Sequence, residues 1–208
     1  MGTEAPMTTL LPRRLLLGAS LAFPLARAVA ADAPPEPASV MGKPDAKLVV
    51  KEWFSLTCTH CASFAVHTLP EVKAKLIDTG RIRYEFYDFP FDQVALMAAE
   101  VARALPAERY EPFIMALFAN QQRWAFAEGV NPQAELQKMA LLAGLSPAGF
   151  QKAITDPAIQ ARVLADYNYG ANTYQVDSTP TFVFGKEIYR QGDMPYAEFE
   201  KRVAANGG

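Results

Sequence analysis

Hydrophobic and polar positions along the 208-residue chain fall into segments of different period. "KLVVKEWFSL", residues 47–56, is β-branched and aromatic, and reads as a buried strand. "CASFAVHTLPEVKAKLIDTG", residues 61–80, reads as a helix, with a kink or restart at Pro70 and a stop at Gly80. In "RIRYEFYDFP", residues 81–90, Ile82, Tyr84 and Phe86 alternate with Arg83, Glu85 and Tyr87, which predicts a second strand. Strand, helix and strand in that order form a βαβ unit, and its two strands are expected to be parallel.

From Asp92 to about Val176 the period turns helical. Val94, Met97, Ala98 and Val101 recur at helical spacing. Three later helices announce their starts, each with a capping residue followed by proline: Asn131-Pro132, Ser146-Pro147 and Asp156-Pro157. Phe113, Phe118 and Trp124 are expected core residues of this block. After it, residues 179–185 and 186–192 read as two short strands around a turn at Gly185-Lys186. "PYAEFEKRVAAN" closes the chain as an amphipathic helix.

The first 30 residues follow a different logic. Arg13 and Arg14 precede an apolar run from Leu15 to about Ala26, and Ala28-Val29-Ala30 follows the A-x-A cleavage pattern. The run is too short for a spanning helix, which needs ~20 residues. An export signal is expected over residues 1–30, by the general secretory or the twin-arginine route, which places the mature protein in the periplasm. A Pro- and Ala-rich lead-in is expected over residues 31–46.

Charge narrows the function classes. The chain has 20 basic and 22 acidic residues, and residues 1–30 hold three of the former and one of the latter. Removing them leaves a formal net charge of about −4. Nucleic-acid binding wants a basic stripe, so no such partner is expected.

Both cysteines lie in "EWFSLTCTHCASF", as Cys58 and Cys61 with His60 between them. Structural zinc needs four ligands, and this chain offers two Cys, His60 and His67, three of them crowded into four residues. A c-type haem site needs His after the second Cys, where this chain has Ala62. A copper carrier would use both thiolates with a distant His, and no His lies outside residues 60–67. An inert disulfide across so short a loop would constrain little of the unfolded chain. A redox couple fits better. Between strand and helix, the first sulfur sits at a helix N-terminus, where unpaired N–H groups and the dipole favour a thiolate. The second can resolve a mixed disulfide. Glu52, six residues upstream, sits in an apolar run where an acid is costly unless it has a partner or a task. A strand-edge Glu paired with a lysine is the plainer reading, and His67 reads as a helix-surface residue.

"EWFSLTCTHCASF", "VDSTPTFVFG" and the helical insertion together resemble the DsbA family of thioredoxin-fold thiol–disulfide oxidoreductases, from about residue 40 to the C-terminus. The resemblance implies an α/β thioredoxin-like fold over residues 47–91 and 176–208, with a helical domain inserted at 92–175. It implies catalytic roles for Cys58 and Cys61, thiolate stabilisation by His60, and proton transfer with Cys61 by Glu52. It implies a cis Thr179-Pro180 bond that offers substrate an extended edge. Thr59 stands where the family's usual motif has Pro; it joins Thr179 and Pro180 in the expected substrate site and bears on the redox potential. No cofactor and no metal are expected. The implied activity is disulfide introduction into exported proteins with free cysteines, by a monomer reoxidised by a DsbB-like membrane partner. A monomeric reductase or isomerase on the same fold is the alternative, and a copper or zinc carrier a more distant one.

Overall fold

The computed structural model describes residues 1–3 and 33–208. The export leader, with its paired arginines and cleavage pattern, lies outside the described residues apart from its first three. Among the described residues, no helix is long and apolar enough to cross a membrane.

Five strands form one mixed sheet: β1 (Ser39–Met41), β2 (Leu48–Phe54), β3 (Ile82–Asp88), β4 (Thr181–Phe184) and β5 (Glu187–Tyr189), in the order β1-β3-β2-β4-β5. β2 and β3 run parallel, as the βαβ pattern predicts, and every other pairing is antiparallel. β1 is a difference from the sequence reading, which assigned no element to residues 31–46. Its three residues pair with the β3 edge, and Ala38 N–H adds a 2.8 Å bond to the Phe86 carbonyl. That partner lies far along the chain, so no local pattern announces the strand.

Residue parity sorts the sheet into two faces. Val50, Phe54, Tyr84, Phe86, Phe182 and Phe184 belong to the larger core, with Phe64, Leu76 and Phe199. Trp53, Tyr87 and Val183 point the other way, into an aromatic layer with Tyr167, Tyr169 and Tyr174. In that layer Trp53 stacks on Tyr87 at 4.8 Å and comes so close to Gly170 that a Cβ there would lie 2.5 Å from the indole nitrogen. Gly170 is required by close approach, its φ being ordinary.

The helix expected over residues 61–80 is present but irregular. It begins as α1 (Thr59–Ser63), widens into a π-type turn at Phe64–Thr68, resumes as α2 (Leu69–Val72), and widens again at Lys73–Ile77. Pro70 lacks the N–H that a regular turn would use, and its ring crowds the carbonyl four residues back; the wider turn relieves both.

Between β3 and β4 run α3 (Gln93–Arg103), α4 (Ala107–Ala119), α5 (Pro132–Leu142), α6 (Pro147–Ala153) and α7 (Pro157–Tyr169), with wider turns at Gln122–Phe126 and Gly170–Tyr174. Asn131, Ser146 and Asp156 cap their helices, accepting bonds from the N–H groups of Ala134, Gly149 and Ala158. α8 (Tyr196–Ala205) closes the chain. Residues Pro34–Gly208 form one compact unit.

A buried ionic group ties the helices to the sheet. The Arg103 Nε donates to Asp88 at 2.7 Å, and its Nη2 donates to Asp166. The Asp88 N–H donates to Asp166, the Tyr110 hydroxyl donates to Asp88, and the Trp53 indole donates to the Asp166 carbonyl. Burial first, and then the charge of Asp88, push the Asp166 carboxyl up from its ordinary range.

Candidate active site

β2 ends at Phe54, and the chain turns through residues 55–57 to Cys58, whose N–H bonds the Ser55 carbonyl at 3.0 Å. Thr57 donates at 2.6 Å to Asp92, which also caps α3. Cys58 is the residue before the first turn of α1, with extended backbone (φ −80°, ψ 122°), and is partly exposed; Cys61 is one turn on and fully buried. Both are free thiols in this structure.

The two sulfurs differ because their surroundings differ. Hydrogen bonding from the Cys61 thiol, and then from the Thr179 side chain and the N–H groups of Cys61 and His60, brings Cys58 down to about 5 against the opposing effect of burial. Burial pushes the Cys61 thiol well up, and negative charge on Cys58 and Glu52 pushes it further. A thiolate therefore forms first at Cys58 and is held there.

Glu52 is 3% exposed and faces the same core as α1. Its carboxylate accepts a 2.7 Å bond from the Tyr84 hydroxyl. Burial raises it to about 8, the Tyr84 bond acting against the rise and the Cys58 charge adding to it. The lysine pairing weighed from the sequence is absent: the adjacent Lys51 pairs with Glu85. Tyr84 was legible only as a core strand residue. Its nearness to Glu52 follows from the β2–β3 register, which sets Tyr84 opposite Val50 and Phe86 opposite Glu52.

His60 is exposed, and its Nδ1 lies 2.8 Å from Asp193 Oδ1, in the segment between β5 and α8. That contact raises the imidazole from its ordinary value. Asp193 is held below the usual carboxylate range: burial acts against this, and bonds from Ser63 and His60 outweigh it. Gly192 lies beside the ring, where a Cβ would make only ordinary contact at 3.6 Å, and it is its φ of +87° that favours glycine. Nothing in the sequence marks Asp193 as a partner of His60.

Thr179 and Pro180 are joined by a cis bond and lie buried beside the sulfurs. In its thiol form Cys58 donates to the Thr179 carbonyl at 3.2 Å, and the buried Thr179 side chain beside the sulfur favours the thiolate. Thr59 is exposed at the head of α1, on a shallow groove it shares with His67, Phe118 and Gln121. The structure thus gathers Cys58, Cys61, His60, Glu52, Thr179 and Pro180 around the two sulfurs, with Thr59 at the rim, and leaves His67 on the helix surface. Among the described residues, no group of three or more His, Cys, Asp or Glu side chains could hold a metal ion. A separate cavity of about 690 Å³ between α4 and α5, walled by Phe113 and Trp124, includes none of these site residues.

A strand leading into a cysteine at a helix start, with a cis-proline loop facing it, is thioredoxin architecture. A thioredoxin family model matches residues 35–205, and the chain belongs to that family. Within it, this is a DsbA-like protein. A Rickettsia conorii protein described as a "putative protein-disulfide oxidoreductase" is 31% identical over 145 residues, covering 69% of this chain and 51% of the relative. A Rickettsia bellii protein of the same description is equally similar, with 55% of its length covered. The chain thus spans about half the length of these curated relatives. Among solved structures, Wolbachia pipientis alpha-DsbA1 superposes with a TM-score of 0.74 at 27% identity, covering 82% of this chain and 90% of that one. Bacillus subtilis BdbD shares the fold, with a TM-score of 0.71 at 20% identity over 84% of this chain and 98% of that one.

Proposed function

We propose that the protein is an exported, periplasmic thiol–disulfide oxidoreductase that introduces disulfides into other exported proteins. The observation that carries this reading is the asymmetry of the sulfurs: Cys58 partly exposed and brought down to about 5, Cys61 buried and pushed up. In the oxidised protein a substrate thiolate attacks Cys58 Sγ. The Cys58–Cys61 bond breaks, a substrate–Cys58 bond forms, and the electron pair leaves on Cys61. Cys61 is a poor place for an anion, so it takes a proton; Glu52, protonated at neutral pH with its value near 8, supplies it. A second substrate thiolate then attacks the substrate sulfur of the mixed disulfide, and Cys58 leaves as a thiolate. The substrate has lost two electrons and the protein has gained them.

Stabilising the leaving Cys58 thiolate favours the reduced protein, which makes the disulfide an oxidant. This supports the oxidase over the reductase or isomerase alternative. The cis loop at Thr179-Pro180 offers backbone beside Cys58 for an extended substrate segment. Reoxidation by a DsbB-like membrane partner completes the cycle. We further propose that residues 92–175 act as a helical domain set into the thioredoxin core.

The reading is tested on a reduced protein with one native disulfide. Wild-type protein in the oxidised form restores that disulfide, and neither Cys58→Ser nor Cys61→Ser, which cannot form the Cys58–Cys61 bond, does so without an added oxidant. Oxidation that persists in Cys58→Ser contradicts the mechanism.

A further inference from the structure

Gln121 follows α4 and is 3% exposed, an amide in a place usually given to apolar residues. Its Nε2 donates at 2.9 Å to the Leu56 carbonyl and at 3.0 Å to the Cys58 carbonyl. Both N–H bonds of the carboxamide are thereby spent on the loop that carries the nucleophile, 65 and 63 residues away in sequence. Two acceptors at hydrogen-bond distance also fix which end of the amide faces them.

The consequence for the sulfur is electrostatic and geometric. Cys58 precedes α1, so its carbonyl takes the first bond of the helix, from Ala62 N–H at 3.1 Å. Gln121 adds a second donor to the same oxygen. An anion on Cys58 Sγ is repelled by the negative ends of nearby carbonyls and attracted by the N–H groups of His60 and Cys61. Anchoring the Leu56 and Cys58 oxygens on two donors offsets the first effect. It also fixes the peptide planes on which the second depends.

We propose that Gln121 is a positioning residue for the Cys58 sulfur, through which the helical segment sets the loop geometry and so the stability of the thiolate. The inference rests on the reading of Cys58 as the attacked sulfur. The titratable groups facing Cys58 are Cys61 and His60 from α1, Glu52 from β2, and Asp193 behind His60; Gln121→Met alters none of them and adds no charge.

The test uses reduced full-length protein with Gln121→Met, which keeps the length and loses the donors, and Gln121→Glu, which sets a carboxylate against the two carbonyls. Thiolate absorbance against pH and equilibrium with glutathione are the readouts. In both variants the Cys58 midpoint is expected to rise by about one unit, and the equilibrium constant for reduction of the disulfide to fall about tenfold. A lowered melting temperature with an unmoved midpoint would show that Gln121 merely packs, and overturns the proposal. Should the variants fail to fold, the unaltered protein answers. The Gln121 carboxamide NMR signals are expected to move with the Cys58 titration, and to differ between reduced and oxidised forms. Signals that do neither overturn it. A protein with a low Cys58 midpoint that oxidises no substrate would count against the oxidase reading and leave this inference standing.

Discussion

The Tyr84 hydroxyl donates to Glu52 at 2.7 Å, across neighbouring strands and with both side chains shut away from water. A neutral donor of this kind stabilises the carboxylate, while burial destabilises it more, and the balance leaves Glu52 at about 8. The acid is thus protonated at neutral pH yet able to part with its proton. Tyr84→Phe removes the donor and keeps the ring in the core. Glu52 is expected to rise by about one further unit, since a hydrogen bond to a charged group is worth ~1.5–3 kcal/mol in the ionised form. Carboxyl carbon NMR against pH would measure it.

Glu52→Gln keeps the Tyr84 contact and removes the proton. The steps that load or unload a proton at Cys61 are expected to slow by roughly a hundredfold near neutral pH, read by stopped-flow on a cysteine peptide. Stability should move the other way. Glu52 is raised from 4.5 to about 8, so the folded state binds the proton more tightly than the unfolded one. Its ionisation therefore costs stability increasingly from pH 4.5 up to 8. Denaturant titrations at pH 9 should find the Gln variant more stable than wild type, and at pH 4 the two should converge.

Cys58 gives the opposite sign. Its folded value, about 5, lies below its ordinary value of 9.0, so the reduced folded protein sheds a proton that the unfolded chain keeps. The resulting stabilisation is full above pH 9 and is lost as pH falls through 5. The disulfide form has no thiolate and lacks this stabilisation. The stability advantage of the reduced over the oxidised protein should therefore grow between pH 5 and 9, as calorimetry of both forms would show.

Arg103 is shared by two buried acids, Asp88 and Asp166, where the helices meet the sheet. Arg103→Met leaves both acids without their cation. A loss of roughly 3–5 kcal/mol is expected at neutral pH. The loss should shrink in acid, where the stranded carboxylates can take up protons, and denaturant unfolding at two pH values would show it.

Local devices were legible in the sequence. Asn131, Ser146 and Asp156 announce helices because a cap is settled within three or four residues. Cys58 at the start of a helix follows from a strand read on one side and a helix on the other. What stayed hidden depends on distant partners. β1 exists because β3 offers an edge, and Tyr84 meets Glu52 because of one strand register. Gln121 and Asp193 reach the site from 63 and 133 residues away. In sequence they are ordinary polar residues, and only the fold shows what they touch.

Cys58–Cys61 is proposed as an oxidising couple. Its most direct measurement is the equilibrium of the purified protein with glutathione buffers at pH 7, read beside the thiolate titration of Cys58. A potential above about −200 mV is expected, more oxidising than ordinary reductants of this fold, with a Cys58 midpoint near 5. A potential below about −250 mV, with Cys58 titrating near the ~8.5 of free cysteine, would contradict it.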